Sequence, residues 1–493
     1  MNPRFVIRLV SLMTLCAGVA MLFTAGVSAL FFTEDTARIR FAFAIPGAIV
    51  TACSVCVWFA AGNRSTNRPY PSAPSRRDGF GAVAIGWLLV ALCGSLPYAF
   101  AGLGIPFVSA LFESMSGFTT TGVTALTLPR ESLPSALLFW ASLSNWLGGM
   151  GVIVLIVAIV PFFGAGGAKM YQAEAPDSFR DRVAPRIASS AKLTWGVYAL
   201  LTVALFALLR FVCGFAWLDS VCYAFGTIST GGFATRSDCV AGHDNIAAEI
   251  IIAVFMILGS LNFSFHILAL RGKFSQYRKD TELRVFLAIL LCAIAFGALN
   301  LHFANHANAA SVSIRTHLRA SFFAFTSAIT TTGYSAADHT SWPPAIAVLA
   351  TALMLIGGCG GSTTGGLKVM RLIVLFKIIG RQIRVFIYPQ ATVKIKIGGQ
   401  AFEENAVSHI AAHFIVFTIF AAAATALMLV FTGDSKAAFT SVAATIGNGG
   451  FGISSDISSF PPHARVLLTA CMLFGRLEFF TVLALFTRDA WRK

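Results

Sequence analysis

The stretch Thr330-Thr331-Thr332-Gly333-Tyr334 is the most informative part of this sequence. It closes a short apolar run, residues 321–329, which is too brief to cross a bilayer because a helical span needs roughly 20 residues. A glycine after a row of threonines lets successive carbonyl groups turn toward one axis, where their oxygens can replace the hydration shell of a cation. The stretch therefore predicts a half-membrane helix that ends in a cation-pore loop.

The chain repeats this pattern three more times. The further copies are residues 117–122 (GFTTTG), 228–233 (ISTGGF) and 447–452 (GNGGFG), of which the last is the most divergent. When Gly122, Gly232, Gly333 and Gly450 are taken as equivalent, the intervals between them are 110, 101 and 117 residues. Each interval fits one membrane helix, one pore loop and a second membrane helix.

The residues that flank these glycines are the candidate ion site. We expect the four loops to line one axis with their backbone carbonyl groups, and the site to comprise Thr120, Thr121, Gly122, Val123, Thr230, Gly231, Gly232, Phe233, Thr331, Thr332, Gly333, Tyr334, Asn448, Gly449, Gly450 and Phe451.

Composition places the whole chain in a membrane. Of its 493 residues 57% are hydrophobic and 12% are charged, and the mean hydropathy is +0.77, whereas soluble domains have about 45–50% apolar and about 25% charged residues. The predicted fold class is an all-α polytopic membrane protein, with four membrane-pore-membrane repeats around one pore and two additional N-terminal transmembrane helices.

The apolar runs divide the chain into five parts and predict ten crossings. These parts are two N-terminal helices at 1–62, pore repeat 1 at 80–163, pore repeat 2 at 190–270, pore repeat 3 at 283–388 and pore repeat 4 at 405–493. The inner helices of repeats 2 and 4 are expected to be continuous over about 246–270 and 465–486.

The net charge of +15 does not indicate a nucleic-acid partner, because Lys and Arg gather in the short loops of one membrane side. That asymmetry marks the cytoplasmic side. It predicts that both termini are cytoplasmic and that all four pore loops open outward. Acidic residues near their mouths would concentrate cations, or would simply be solvated loop charges.

A glycine-rich break interrupts the inner helix of repeat 3 at residues 357–366. Each interior glycine costs a helix about 1 kcal/mol relative to alanine, and irregular backbone at membrane depth survives only beside protein or a water-filled cavity. A nucleotide-binding loop is disfavoured, since the Gly-Lys-Ser/Thr ending and a preceding strand are missing. We expect the break to lie below the third loop and to act as a gate with the residues Gly357, Gly358, Gly360, Gly361, Gly365, Gly366, Lys368 and Arg476.

Arg476 and Glu478 are charges inside the last apolar run. Charged residues within a span are functional candidates by default. Their i, i+2 spacing points them in different directions on a helix, so each needs its own partner. A pore role for Arg476 competes with a purely structural ion pair.

With these motifs in place, the chain resembles the Trk/Ktr/HKT superfamily of potassium transporters over its full length, specifically the TrkH-type branch. The resemblance also rests on residues 171–176 (YQAEAP) and 185–188 (PRIA). It implies four membrane-pore-membrane units around one pore, a homodimer, and a cytoplasmic regulatory ring called TrkA that binds NAD or ATP. The fourth motif departs from this branch, because Phe451 stands where proline is usual.

Glycine at all four positions resembles the potassium-conducting members, since the sodium-favouring members typically have serine at the first. The leading hypothesis is potassium uptake across a bacterial inner membrane by a protein that is not an enzyme. Its transported ligand is potassium, its surroundings are membrane lipid, and no bound nucleotide is expected in this chain. The alternatives are a sodium-permeable or weakly selective relative, a secondary transporter with broken helices, and a membrane anchor or sensor without transport.

Overall fold

The computed structural model describes residues 3–62, 76–159, 187–307, 313–337, 339, 342–398, 400–451 and 456–487. Nearly all of this part is helical, in agreement with the predicted fold class. The helices are α1 (Pro3–Phe31), α2 (Ala37–Gly62), α3 (Arg76–Phe100), α4 (Phe107–Phe118), α5 (Ser135–Ile159), α6 (Ile187–Ala207), α7 (Trp217–Ile228), α8 (Ile246–Ser260), α9 (Phe263–Leu270), α10 (Ser275–Lys279), α11 (Thr281–Ala307), α12 (Ile314–Ile329), α13 (Pro344–Ile356), α14 (Val369–Ile387), α15 (Glu404–Thr432), α16 (Ser435–Ile446), α17 (Pro462–Leu477) and α18 (Phe479–Leu483).

Within the described ranges, six helices are long and apolar enough to cross a bilayer, and eight spans result if each sharply bent pair counts as one. The six are α1, α2, α3, α6 with its π-helical extension Leu208–Val212, α11 and α15. The bent pairs are α8 with α9 and α17 with α18. The two remaining predicted crossings correspond to α5 and α13, and the total of ten stays a prediction.

Large apolar side chains cover the outer face of these helices. Leu30 is 77% exposed, and Phe211 and Val430 are each 79% exposed. Such side chains would be costly in water, at about 25 cal/mol for each Å² of apolar surface. Together with the long apolar helices, they describe a multi-pass membrane protein whose outer surface contacts lipid.

Four helices are too short to span the bilayer. They are α4, α7, α12 and α16, with 12 to 16 residues each, or about 18–24 Å at 1.5 Å per residue. Each ends at the beginning of one of the four glycine motifs. Most of their side chains are buried, so the longer helices enclose them.

The prediction of a continuous inner helix over 246–270 is wrong. The chain bends by 101° between α8 and α9. Asn262 begins the new helix, because its side-chain oxygen accepts a hydrogen bond from the Ser264 N–H at 2.9 Å. The carbonyl of Ser260 accepts from the Cys359 N–H at 3.0 Å. The glycine-rich segment thus replaces a helical hydrogen bond that the apolar pattern could not foresee.

The prediction of a continuous last helix over 465–486 is also wrong. The chain bends by 109° between α17 and α18, and Glu478 at the bend has a φ of 59°, in the left-handed region that costs roughly 1–3 kcal/mol for a residue other than glycine. The Glu478 carboxylate forms an ion pair with Arg371, which holds this conformation.

The third interruption lies where the sequence predicts it. Helix α13 ends at Ile356 and α14 begins at Val369, with no helix in the segment between them. Beyond α14, the chain forms a two-stranded antiparallel hairpin of β1 (Lys396–Ile397) and β2 (Gln400–Ala401). Residues 160–186, which include most of the motifs at 171–176 and 185–188, and the basic stretches 63–75 and 488–493 lie outside the described residues.

Candidate functional site

Each of the four short helices ends in the same backbone turn. In the first copy, the Thr120 N–H donates to the carbonyl of Gly117 at 2.9 Å, and the Thr121 N–H donates to that of Ser116 at 2.8 Å. This is the Schellman pattern, in which a left-handed residue follows the helix. The left-handed residues of the four copies, with φ of 53°, 51°, 52° and 49°, are Thr120, Thr230, Thr331 and Asn448. Each of them donates one bond of the equivalent pair and the residue that follows it donates the other, so the four loops begin with one geometry.

Two residues further on, the glycine of each motif is reached. Gly122, Gly232 and Gly333 have φ of 73°, 75° and 87°, values that side chains rarely tolerate. Gly450 is outside this positive region, and Phe451 follows it. The divergence of the fourth motif is therefore a real difference in backbone conformation.

The four loops form a closed ring, in which each glycine faces the next loop in chain order and the fourth faces the first. A Cβ atom built on Gly122 would overlap the carbonyl oxygen of Gly231, and one built on Gly232 would overlap that of Thr332. A Cβ atom on Gly333 would lie 2.9 Å from the nitrogen of Gly450. A Cβ atom on Gly450 would lie 3.1 Å from the carbonyl oxygen of Thr121. The ring leaves no room for a side chain at the first two positions.

Hydrogen bonds join neighbouring loops. The Gly450 N–H donates to the carbonyl of Thr121 at 2.9 Å, and the amide of Asn448 donates to the Thr121 hydroxyl at 3.1 Å. The Tyr334 hydroxyl donates to the carbonyl of Phe233 at 3.1 Å. These bonds close the ring between the fourth and first loops and tie the third loop to the second.

Side chains in the ring are largely buried. The Thr119 and Thr121 hydroxyls lie 2.8 Å apart, and so do those of Thr330 and Thr332. The Phe451 ring packs 4.9 Å from that of His339. Within the described residues no group of three or more His, Cys, Asp or Glu is placed to hold a metal ion.

The glycine-rich segment lies directly under the second and third loops. The Thr363 hydroxyl donates to the carbonyl of Gly259 at 3.1 Å and lies 3.2 Å from the Thr230 hydroxyl. The Gly365 N–H donates to the Thr331 hydroxyl at 2.9 Å. Of the predicted gating glycines, Gly357, Gly361 and Gly366 have positive φ. The segment is thus held by hydrogen bonds to the loops above it.

Arg476 reaches this segment from the last inner helix. Its Nη1 donates to the carbonyl of Thr363 at 2.8 Å, and its Nη2 donates to that of Gly148 on α5 at 3.4 Å. The side chain is buried. Arg476 therefore joins α17 to the glycine-rich segment and to α5.

Lys368, the remaining predicted gating residue, folds back onto the same segment. It has a φ of 73°, and its ammonium group donates to the carbonyl of Thr364 and to the Thr364 hydroxyl, the latter at 2.9 Å. All predicted gating residues therefore belong to one connected region.

Sequence reasoning missed Glu282, a buried carboxylate at the start of α11. One of its oxygens accepts from the N–H groups of Gly360 at 2.8 Å and Met370 at 3.0 Å. Through these two hydrogen bonds it connects the middle of the glycine-rich segment to the beginning of α14. A single acidic residue at the border of an apolar run was the only available signal.

A second missed group surrounds Glu478. Arg371 on α14 donates to the Glu478 carboxylate and lies 3.2 Å from the imidazole of His413 on α15. Arg476 and Glu478 have separate partners, although Glu478 lies at the bend and not on one helix with Arg476 as the spacing argument assumed. The ion pair joins the helix that follows the glycine-rich segment to the bend of the last inner helix.

Comparison with known proteins bears on the whole of this architecture. The TrkH family, described as "Cation transport protein", matches residues 41–491. The chain is 36% identical to the Trk system potassium uptake protein TrkH of Salmonella typhimurium and 35% identical to that of Escherichia coli, with 100% of each chain covered. The crystal structure of the potassium transporter TrkH from Vibrio parahaemolyticus is similar, with a TM-score of 0.88, 32% identity and full coverage of both chains.

A family match over more than half of the chain, full-length relatives above 30% identity and a shared fold agree with one another. The chain belongs to the TrkH family of cation transport proteins.

Proposed function

We propose that this protein takes up potassium ions through the ring of four loops. The observation that carries the proposal is the cyclic packing of Gly122, Gly232, Gly333 and Gly450, each against the next loop. The names of the relatives, potassium uptake proteins of the Trk system, support potassium as the transported ion.

On this proposal the filter works by exchanging water for carbonyl oxygens. The left-handed turn at Thr120 and its three equivalents reverses the chain after each short helix, so that the next carbonyl groups point to the axis. The backbone contacts between loops fix the size of the ring. An ion whose hydration shell matches these oxygens enters with the smallest cost.

The gate in this proposal is the glycine-rich segment together with Arg476. The structure describes a state in which Arg476 donates to the carbonyl of Thr363 below the ring. A guanidinium is always protonated, so it both holds the segment and repels a cation in the same passage. Opening would release Thr363 and move Lys368 with α14 away from the axis.

We further propose the cellular arrangement that the resemblance implies. The protein would reside in the bacterial inner membrane with both termini in the cytoplasm, form a homodimer, and bind a TrkA-like regulatory protein that carries NAD or ATP. The support is indirect: the predicted cytoplasmic loops are basic, and each is shorter than a domain of about 50 residues.

The test is ion flux into liposomes that contain the purified chain, with potassium and sodium in competition. Preferred potassium uptake supports the proposal, whereas equal uptake of both ions would favour the weakly selective alternative. Saturable transport of an organic solute would indicate a secondary transporter instead, and absence of ion flux, with and without the partner protein, would indicate an anchor or sensor.

A further inference from the structure

A buried ion pair lies behind the first loop of the ring. Glu113 on α4 is fully buried, and its Oε1 accepts from Arg130 Nη2 at 2.9 Å. Its other oxygen, Oε2, accepts from the Thr124 hydroxyl at 3.0 Å and from the Ala125 N–H at 3.3 Å. One carboxylate therefore fixes the chain just after Gly122 and Val123.

The same ion pair reaches the second loop. The guanidinium carbon of Arg130 lies 4.7 Å from the centroid of the Phe233 ring, within the distance of a cation–π contact. The backbone N–H of Arg130 donates to the hydroxyl of Ser237 at 3.2 Å, and Ser237 follows the second loop. Arg130 thus packs on a residue that directly follows Gly232.

Phe233 is held from a second side. Its carbonyl accepts from the Tyr334 hydroxyl of the third loop at 3.1 Å. A continuous set of contacts therefore runs from the exit of the first loop through Glu113, Arg130 and Phe233 to the third loop. Glu113 and Arg130 themselves are not among the ring residues, so their charged groups need not touch the ion.

Among the four short helices, a carboxylate at this position is found in the first. The positions nine residues before Gly232, Gly333 and Gly450 are Tyr223, Ala324 and Ser441, whereas Glu113 occupies that place before Gly122. A charge buried without its partner costs much free energy. If the only role of this contact were to hold the two loops together, apolar side chains would do so at a smaller cost in free energy. The charged pair instead supplies directional bonds to two loops.

We propose that Glu113 and Arg130 are positioning residues for ion selectivity, which set the spacing of the first and second loops. This inference rests on the proposed potassium filter. Neutralising the pair should widen or distort the ring while leaving the gate region, with Thr363 and Arg476, in place. The substitutions should therefore lower the preference for potassium over sodium and should not close the pore.

The experiment compares potassium and sodium fluxes in liposomes for Glu113→Gln and Arg130→Gln, normalised to the folded protein recovered by gel filtration. We expect the potassium-to-sodium flux ratio to fall about tenfold in each, which corresponds to about 1.4 kcal/mol. Arg130→Lys keeps the charge near the Phe233 ring but loses the planar fork, and should retain more of the ratio than Arg130→Gln.

A matched control is the ion pair of Glu249 on α8 and Arg319 on α12, with a distance of 2.6 Å. It also joins two helices but lies at their N-terminal parts. Arg319→Gln should lower the melting temperature without changing the flux ratio. A ratio that falls equally in Arg319→Gln would mean that any loosened helix contact reduces selectivity, and would overturn the inference.

Thr124→Val gives a second, milder test, because it removes one hydroxyl and leaves the ion pair intact. If Glu113→Gln and Arg130→Gln do not fold, this variant tests the positioning role in their place. A ratio lowered about threefold, in line with the small net value of one hydrogen bond, supports the inference, and an unchanged ratio contradicts it. If the parent protein itself shows no potassium preference, the proposed function is wrong. If the parent prefers potassium and the variants keep the same flux ratio, only the positioning role is wrong.

Discussion

Substituting alanine for each ring glycine should lower selectivity in a graded order that the geometry fixes. At Gly122 and Gly232 the added Cβ would overlap a carbonyl oxygen, and φ is positive. The left-handed conformation costs about 1–2 kcal/mol for alanine, and overpacking costs about 1–3 kcal/mol. The combined distortion is therefore about 2–5 kcal/mol at each of these positions.

The other two positions should be affected less. At Gly333 the conformational cost is the same in kind, while the nearest atom is 2.9 Å from the added Cβ. At Gly450 φ is not positive and the closest atoms are 3.1 Å away, so the cost should stay below about 1.5 kcal/mol. The midpoint of the range for Gly122 and Gly232, about 3.5 kcal/mol, exceeds the limit for Gly450 by about 2 kcal/mol, and about 1.4 kcal/mol is a factor of ten, so the flux ratios of these variants should differ by about one order of magnitude.

The assay is competition between potassium and sodium in liposomes, normalised to folded protein. Gly196→Ala is the control, because Gly196 on α6 is exposed and has no atom within 4 Å of an added Cβ; it should be neutral or stabilising by up to about 1 kcal/mol. If Gly450→Ala lowered the potassium preference as much as Gly122→Ala, the ring geometry would be refuted. If Gly122→Ala and Gly232→Ala kept the full potassium preference, the filter assignment would be refuted.

Four further outcomes are expected. Arg476→Ala, or deletion of two residues from the glycine-rich segment, should raise basal flux in liposomes while the potassium-to-sodium ratio stays at the parent value; unchanged flux in both folded variants would leave the segment as a structural break only. Glu282→Gln should weaken the hydrogen bonds to Gly360 and Met370 and increase hydrogen exchange of the segment, and equal protection would show that these bonds are dispensable. The purified chain alone should not respond to ATP or NADH in the flux assay, and a response would contradict regulation by a separate TrkA-like protein. Hydrogen bonds from Ser237 lower the pKa of Glu131 from its usual 4.5, so this contact stabilises the fold above pH about 4.5 and is lost as the pH falls through the folded pKa; the difference in melting temperature between the parent and Glu131→Gln should shrink on acidification, and a constant difference would argue against the contact.

The sequence predicts much of the ring because its signals are local. Short apolar helices, a threonine run and a glycine are read within one stretch, as at Thr330 to Tyr334, and the repeated spacing indicates that four such stretches meet. The glycine-rich break is equally local, because glycines oppose helix formation wherever they cluster.

What the sequence does not predict depends on contacts between distant parts of the chain. The bends after Ser260 and at Glu478 lie in apolar runs that favour continuous helices. At each bend a distant residue makes a contact: the Cys359 N–H donates to the Ser260 carbonyl, and Arg371 pairs with the Glu478 carboxylate. Glu113 and Glu282 are likewise ordinary acidic residues in the sequence. Their importance follows only from which backbone groups are brought to their carboxylates.

If a cation is bound by the backbone of the four loops, anomalous diffraction from crystals of the protein soaked in rubidium, an ion that replaces potassium, should locate it. We expect anomalous peaks on the axis of the ring, within bonding distance of the carbonyl groups of Thr120–Thr121, Thr230–Gly231, Thr331–Thr332 and Asn448–Gly449. Peaks confined to carboxylates elsewhere, with none inside the ring, would contradict this expectation.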